Sequence, residues 1–373
     1  MRPATPPLPD LPIVSNFEIS VDDEAVVHVG DGTVWVSEEY GPYIYHYTLN
    51  GRLLHVIRPP DAFIPMRYNA SNQLVENFSA NSPPIGVTYN PSPGNPVSGR
   101  QNNQGFEGLA MSPDRKTLFV LLQSALIQDL DPANIKTTRR NTRLLAYDLR
   151  HDEPKLVGEY VVQLPLYQDQ TTTKTRLLIA AQSEMLALND HQFLVLARDS
   201  SVGETYGPGS PLVGAGTPTP GSVYRSIDLI DISGATNIAG TAYDSSAGSI
   251  APLGVLNSSI TPVTYKQFLN INDNTQLNRF GLHNGLPADS NDLYEKWESM
   301  AVVPVGDPRA PNDYFLFVGS DNDFITQNGF MAGQPYVDSS GFNVDTLVLV
   351  YRVTLPTYVP PRDLERFVDI DIR

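Results

Sequence analysis

Four glutamates occupy the same place in a weak internal repeat of this sequence. In each copy the glutamate opens an apolar stretch, a turn follows, and a second apolar stretch ends in polar residues. The four residues are Glu24, Glu107, Glu184 and Glu298. Carboxylates held close together raise one another's pKa and destabilise a fold unless a cation or an arginine neutralises them. If the repeat brings these side chains together, the sequence predicts a site for a hard divalent cation.

Further oxygen donors follow the second apolar stretches, at Glu39, Asp199, Asp321 and Asp323. Calcium takes about six to eight oxygen ligands, whereas zinc favours histidine and cysteine. The chain has no cysteine, and its six histidines are scattered. We therefore expect Ca²⁺, with metal ligands drawn from Glu24, Glu107, Glu184, Asp199, Glu298, Asp321 and Asp323.

Three side chains are candidates for catalysis. Glu39 is the candidate base, Arg198 is placed to orient an anionic oxygen, and His283 is the best general acid or base among the histidines. Each also has a structural interpretation: a turn cap, an ion pair with a neighbouring acid, and a hydrogen bond to the backbone, respectively. The sequence has no Gly-x-Ser-x-Gly elbow, no His-Glu-x-x-His pair and no P-loop, so serine-hydrolase and nucleotide-triphosphate functions lack a motif.

The repeat predicts an all-β fold. Each copy is typical of a hairpin, and two more strands follow most copies, which gives the four strands of a β-propeller blade. The innermost strands of a propeller line its channel, so equivalent glutamates would surround one axis. The fourth unit is one strand short, and residues 16–20 are the candidate to complete it, because an unpaired edge exposes backbone donors and acceptors.

Four recognisable units are fewer than the roughly six blades that close most enzyme propellers. We therefore expect five or six blades, with degenerate strands in residues 59–103 and 250–297. We also expect a Pro-rich segment over residues 1–15, one propeller domain over 16–356 and a tail over 357–373. The 27 glycines and 32 prolines agree with such a loop-rich β architecture.

Charge and hydropathy exclude several partners. The chain has 25 Lys plus Arg against 41 Asp plus Glu, a formal net charge of −16 that disfavours nucleic-acid binding. No apolar run reaches the roughly 18 residues of a membrane span. Three Asn-x-Ser sequons, at Asn69, Asn77 and Asn257, favour a secreted glycoprotein whose signal peptide is absent from this sequence. We expect a monomer that acts on a small molecule.

Three stretches are recognisable together: residues 34–45, Gly105-Phe106-Glu107-Gly108, and Ser320-Asp321-Asn322-Asp323. With residues 57–63, 194–199 and 295–299 they resemble the phytase-like family, described as "esterase-like activity of phytase", in its fungal secreted branch. The resemblance spans roughly residues 22–356. It implies a β-propeller and suggests ester or phosphoester hydrolysis with calcium.

By motif, the resemblance places Glu24, Glu107 and Glu298 at the family's acidic channel positions, with Glu39, Asp199, Asp321 and Asp323 at the strand ends. It brings no catalytic assignment. Two departures stand out. The family's Glu-Gly before the first blade is here Glu24-Ala25, and fungal members usually carry a further blade upstream. The propeller is therefore expected to be N-terminally truncated or to close differently.

The preferred function is a calcium-dependent hydrolase of phosphate or carboxylate esters, in which the metal offsets the negative charge and activates water. One alternative is a non-catalytic propeller that holds structural calcium and binds a glycan or protein partner through its long loops. Another is a lactonase or isomerase that acts on a fungal metabolite. Assays on phytate and aryl esters, with and without calcium, separate the hydrolase from the non-catalytic propeller.

Overall fold

The computed structural model describes residues 13–14, 18–19, 21–78, 96–169, 176–199, 223–285, 291–294, 296–322, 324–331, 333–339, 341 and 343–361. Four antiparallel sheets dominate the described residues. Their first strands contact one another in chain order and line a shared central cavity. The fold is a four-bladed β-propeller, so the predicted class is confirmed and the predicted number of five or six blades is wrong.

The strands of each blade follow one another from the channel outward. Blade one consists of Asp23–His28, Thr33–Glu38, Ile44–Thr48 and Leu53–Ile57. Blade two consists of Phe106–Met111, Thr117–Leu122, Asn141–Asp148 and Lys155–Gln163. Blade three consists of Ala181–Ala187, Gln192–Arg198, Arg225–Asp231 and Thr264–Asn270. Blade four has three described strands, Trp297–Pro304, Asp313–Ser320 and Val348–Thr354.

The remaining elements are short. The α-helices are Ile135–Thr138 and Asn274–Leu277, and the 3-10 turns are Asp61–Phe63, Ile127–Asp129, Ala242–Asp244, Pro252–Gly254 and Asn278–Phe280. Four small hairpins pair Ile13–Val14 with Glu18–Ile19, Met66–Tyr68 with Leu74–Glu76, Leu166–Gln168 with Leu177–Ile179, and Gly329–Met331 with Gln334–Tyr336.

The segments that were expected to hold a fifth and a sixth blade contain mainly such short elements. The described part of residues 59–103 holds only a 3-10 turn and a three-residue hairpin, and residues 250–297 supply the outer strand of blade three and short helical turns. In the parts that the structure describes, neither segment contains four strands long enough to bury an apolar face. Of residues 16–20, the described pair Glu18–Ile19 bonds to Ile13–Val14 and not to blade four.

Apolar layers between neighbouring blades hold the propeller together. Trp35 and Leu118 belong to the layer between blades one and two. Phe119 of blade two meets Phe193 of blade three edge to face, with ring centroids 4.7 Å apart. Trp297 belongs to the layer between blades three and four. Burial of these layers supplies the main driving force for packing the blades.

Blade four is buried on one face only. Residues 315–318 form an apolar run, which predicts a strand covered on both faces. Leu316 and Val318 are indeed fully buried against blade three, but Phe315 is 37% exposed. That prediction is wrong for this blade, because its second face has no neighbour of comparable size among the described residues.

Candidate functional site

A β-bulge interrupts the innermost strand of every blade at or next to the repeated glutamate, where that strand has one more residue than its partner. The bulges of blades one, two and four include Glu24, Glu107 and Glu298. In blade three the extra residue is Ser183, and Glu184 pairs with Leu196. A bulge bends the strand and re-aims a side chain that a regular pleat would direct elsewhere. Three of the four acids therefore share one local geometry, and the fourth lies directly after its bulge.

Side chains from adjacent blades hold these bulges in place. Ser37 Oγ of blade one accepts from Ala25 N at 3.1 Å and donates to the Glu107 carbonyl of blade two at 2.8 Å. Ser183 Oγ of blade three donates to the Trp297 carbonyl of blade four at 2.8 Å. All of these polar groups are buried, so each bond replaces one that the group would otherwise make to water.

Three acids lie close enough to share one metal ion. Asp22, Glu24 and Glu39 each offer a carboxylate oxygen, and these oxygens lie within 4.8 Å of one another. Glu107 extends the group, because its carboxyl is hydrogen-bonded to that of Glu24. We call Asp22, Glu24, Glu39 and Glu107 the acid cluster. Asp22 was not predicted, since it precedes the repeat, although the run Asp22-Asp23-Glu24 is a signal that could have indicated it.

The electrostatics of the acid cluster favour a hard cation. Burial raises the pKa of Glu24 to about 7, and repulsion from Asp22 adds to the shift. Burial and neighbouring acids raise the pKa of Glu39 and of Glu107 well above the usual range. Two carboxyls can share a hydrogen bond only if one is protonated, so at neutral pH a divalent ion replaces those protons favourably. The donors are all oxygen, the ligand type that hard cations such as calcium and magnesium prefer.

The loop that carries Glu39 is rigidly supported. Glu38 is fully buried, and its carboxylate accepts from the backbone N–H groups of Asp22 at 3.2 Å, Tyr40 at 3.0 Å and Gly41. Arg100 is also fully buried and donates to the Tyr40 carbonyl through Nε at 2.8 Å and Nη2 at 2.5 Å. Glu38 and Arg100 thus fix two members of the acid cluster without belonging to it.

Cations accompany the acids of blade four. Arg198 Nη2 lies 2.7 Å from Glu298 Oε1, and Lys296 Nζ lies 3.7 Å from the same oxygen. Lys296 Nζ also lies 3.9 Å from Asp321 Oδ2. Glu298 and Asp321 therefore have cationic partners, whereas the members of the acid cluster belong to blades one and two and the segments next to them. Lys296 also acts electrostatically on Glu24, so the two groups adjoin one another. This pairing of charges was not visible in the sequence.

Glu184 stands apart from the three-acid group and lines the central cavity of about 240 Å³. Its carboxylate accepts from the Met185 N–H at 2.6 Å, and burial raises its pKa to about 8. Asp199 is buried and accepts from the Val223 N–H at 2.7 Å, which is a loop-anchoring contact.

His283 forms an isolated parallel β-bridge with Asp292. The Nδ1 atom of His283 lies 3.9 Å from Oδ1 of Asp292. Its described contacts are thus to the segment before blade four, and its catalytic role stays a prediction. Asp323 lies outside the described residues.

A single methyl group at Gly105 should perturb the acid cluster. A Cβ built there would overlap the backbone of Glu39, which cannot move without displacing its carboxylate. We expect Gly105→Ala to weaken calcium binding roughly 10-fold and to destabilise the protein by about 1–3 kcal/mol, as overpacking does. Calcium titration and thermal unfolding measure both. Gly234→Ala is the matched control, because its Cβ would meet nothing within 4 Å; equal losses in the two variants would contradict the expectation.

The fold and the site define an acidic-channel β-propeller. The family model for phytase-like proteins, "Esterase-like activity of phytase", matches residues 15–324, and the chain belongs to this family. An "Uncharacterized secreted protein" of Arthroderma benhamiae is 44% identical over 326 residues, which is 83% of this chain. The chain spans 59% of that relative's length.

A chain from a solved S. cerevisiae complex of Dbp5, Nup159 and Gle1 is 12% identical. The match covers 82% of this chain and 61% of that one, but its TM-score of 0.27 is too low to support any inference. In the part of the chain that the structure describes, no helix combines the length and the apolar character needed to cross a bilayer.

Proposed function

We propose that this chain is a secreted, calcium-dependent hydrolase of phosphate or carboxylate esters. The observation that carries the proposal is the acid cluster: three carboxylates with ligand oxygens within 4.8 Å of one another, and a fourth hydrogen-bonded to Glu24. Cationic side chains contact the acids of blade four next to it. Family membership supports hydrolysis of the esterase or phosphatase type. The description of the Arthroderma relative as a secreted protein supports secretion.

Asp22, Glu24 and Glu39 would hold the ion, and bound calcium would supply positive charge to a substrate oxygen and to water. Once calcium displaces the proton shared with Glu24, the Glu107 carboxylate would take the proton of the attacking water. Burial and the neighbouring acids raise the pKa of Glu107 well above the usual range, which makes its carboxylate a stronger base than that of an exposed glutamate. The proposal therefore exchanges the roles that the sequence suggested for Glu39 and Glu107.

Water attack on the ester phosphorus or carbonyl carbon breaks the bond to the leaving alcohol, which must receive a proton as it departs. The proton held by Glu107 can return to that oxygen, so the step balances without another reactant. Lys296 and Arg198 both contact Glu298 of blade four, and Lys296 also acts electrostatically on Glu24, so they would bind the charged oxygens of the substrate next to the acid cluster.

The decisive assay uses purified chain on an aryl phosphate, phytate and a neutral aryl ester, with calcium and with chelator. We expect turnover of at least one class in calcium and its loss in chelator. If calcium raises the melting temperature but no substrate is hydrolysed, the hydrolase proposal fails and the non-catalytic, calcium-stabilised propeller replaces it.

Lys296 should distinguish the two ester classes. Its side chain is about one-third exposed, so an anionic substrate can reach it. A charge-assisted hydrogen bond of about 1.5 kcal/mol corresponds to roughly 10-fold in KM. We expect Lys296→Met to raise KM for an aryl phosphate by that factor and to leave KM for a neutral ester unchanged. Steady-state kinetics on both substrates test this, with Lys266→Met on the outer strand of blade three as control; equal changes in KM for both esters would contradict it.

A further inference from the structure

Among the described residues, blade four has an unpaired strand edge. Its outer described strand, Val348–Thr354, pairs with Asp313–Ser320 on one side, and no described strand pairs with its other side. The three other blades each have a fourth strand at this position. An open edge carries a row of backbone donors and acceptors that another extended segment can pair with, and native proteins normally cover it.

An apolar groove of about 760 Å³ lies beside this edge. It runs between residues 348–352, the outer strand of blade three and the helical turns at 274–280. Its walls include Phe268 and Phe280, which are 40% and 72% exposed, and the partly buried Leu349 and Tyr351 on the face of Val348–Thr354 that is turned to blade three. A soluble protein rarely leaves such side chains together in water, so the groove is suited to an occupant. It lies where a fourth strand of blade four would pack.

We propose that residues 367–372 of this same chain bind in the groove as the fourth strand of blade four. Their sequence, Phe-Val-Asp-Ile-Asp-Ile, alternates apolar and acidic positions in its last five residues, as a strand with one covered face does. Val368, Ile370 and Ile372 would face blade three. Asp369 and Asp371 would then share the outer face with Val350 and with Arg352, whose guanidinium already lies 2.8 Å from Asp313.

The chain path brings this segment to the right end of the groove. After the outer strand ends at Thr354, the Val359 N–H bonds to the Leu188 carbonyl, and Pro361 lines the central cavity beside the innermost strands. Six residue steps from Pro361 to residue 367 reach about 20 Å when extended. The fourth strand position lies about 14 Å from the innermost strand, at about 4.8 Å per strand. A segment arriving at this end would run antiparallel to Val348–Thr354, as blade geometry requires.

Hydrogen exchange tests the pairing directly. In the full chain we expect alternate amides of Val348–Thr354, those not bonded to Asp313–Ser320, to exchange at least 10-fold more slowly than in Ile370→Asp, which places a charge on the apolar face. Asp371→Asn is the matched control and should keep the protection. Equal exchange in the parent chain and Ile370→Asp overturns the proposal.

Disulfide trapping identifies the occupant, because the chain has no cysteine of its own. We expect Val350→Cys combined with Asp371→Cys or Asp369→Cys, two neighbouring registers on one face, to form a disulfide within one chain. Leu54→Cys with Asp369→Cys should not, since Leu54 lies on the outer strand of blade one. A disulfide between two chains would identify a second copy as occupant, and no disulfide in either register would leave the groove to another partner; both results overturn the proposal.

Discussion

Glu24→Gln should abolish most of the calcium affinity while making the metal-free protein more stable. Glu24 lies between Asp22, Glu39 and Glu107, so it contributes both a ligand and repulsion. Loss of one carboxylate ligand should raise the calcium Kd about 100-fold, equivalent to about 2.7 kcal/mol. Without metal, the same change removes one member of a group of buried like charges, and the melting temperature should rise. Hydrolysis, if it depends on the ion, should fall by at least the same factor.

Weaker calcium binding together with higher stability of the metal-free protein would indicate that Glu24 binds the metal. A merely structural role for Glu24 would lower the stability of both metal-free and calcium-loaded protein. Glu153→Gln is the matched control, because its side chain is 83% exposed and lies away from the acid cluster. Isothermal titration gives the calcium Kd of each protein. Thermal unfolding in calcium and in chelator gives the melting temperatures of the loaded and metal-free forms. If Glu24→Gln leaves the calcium Kd unchanged, the acid cluster is not the metal site.

The positions of the strands and of the glutamates on the innermost strands were predictable from the sequence, because both depend on local pattern. The two further strands predicted after most copies of the repeat are present, for example Leu53–Ile57 in blade one and Lys155–Gln163 in blade two. Glu24, Glu107 and Glu298 lie within the bulges of their innermost strands, and Glu184 lies one residue beyond its bulge. A glutamate followed by alternating apolar residues and a turn suffices to define these features.

What the sequence could not predict depends on side-chain direction and on contacts between blades. Each bulge adds one residue to an innermost strand, but no glycine or proline marks every bulge, so the sequence pattern does not indicate them. Asp22 joins the acid cluster because its backbone follows the Glu38 loop, a contact across 16 residues. Glu298 pairs with Arg198, 100 residues away, so its place outside the three-acid group could not be deduced from the repeat.

Stability without metal should fall as the pH rises from 5 to 8, and calcium should reverse the trend. Burial raises the folded pKa of Glu24 and Glu38 to about 7 and that of Glu184 to about 8. Between the unfolded pKa near 4.3 and these values, the folded state binds more protons than the unfolded state. The free energy of unfolding therefore decreases with pH across this window. Several such groups together should lower the melting temperature by about 10 °C, at roughly 2–4 °C for each kcal/mol.

Calcium inverts this dependence only if it binds carboxylates that would otherwise hold protons. At pH 5 the ion must displace those protons, so its affinity is low, whereas at pH 8 it binds without that cost. We therefore expect the calcium-induced rise in melting temperature to grow between pH 5 and pH 8, and proton release on calcium binding to be largest near pH 6. Titration in buffers of different ionisation enthalpy measures the released protons. A calcium effect of equal size at both pH values would mean that the ion binds exposed acids instead, since exposed carboxylates are already ionised at pH 5.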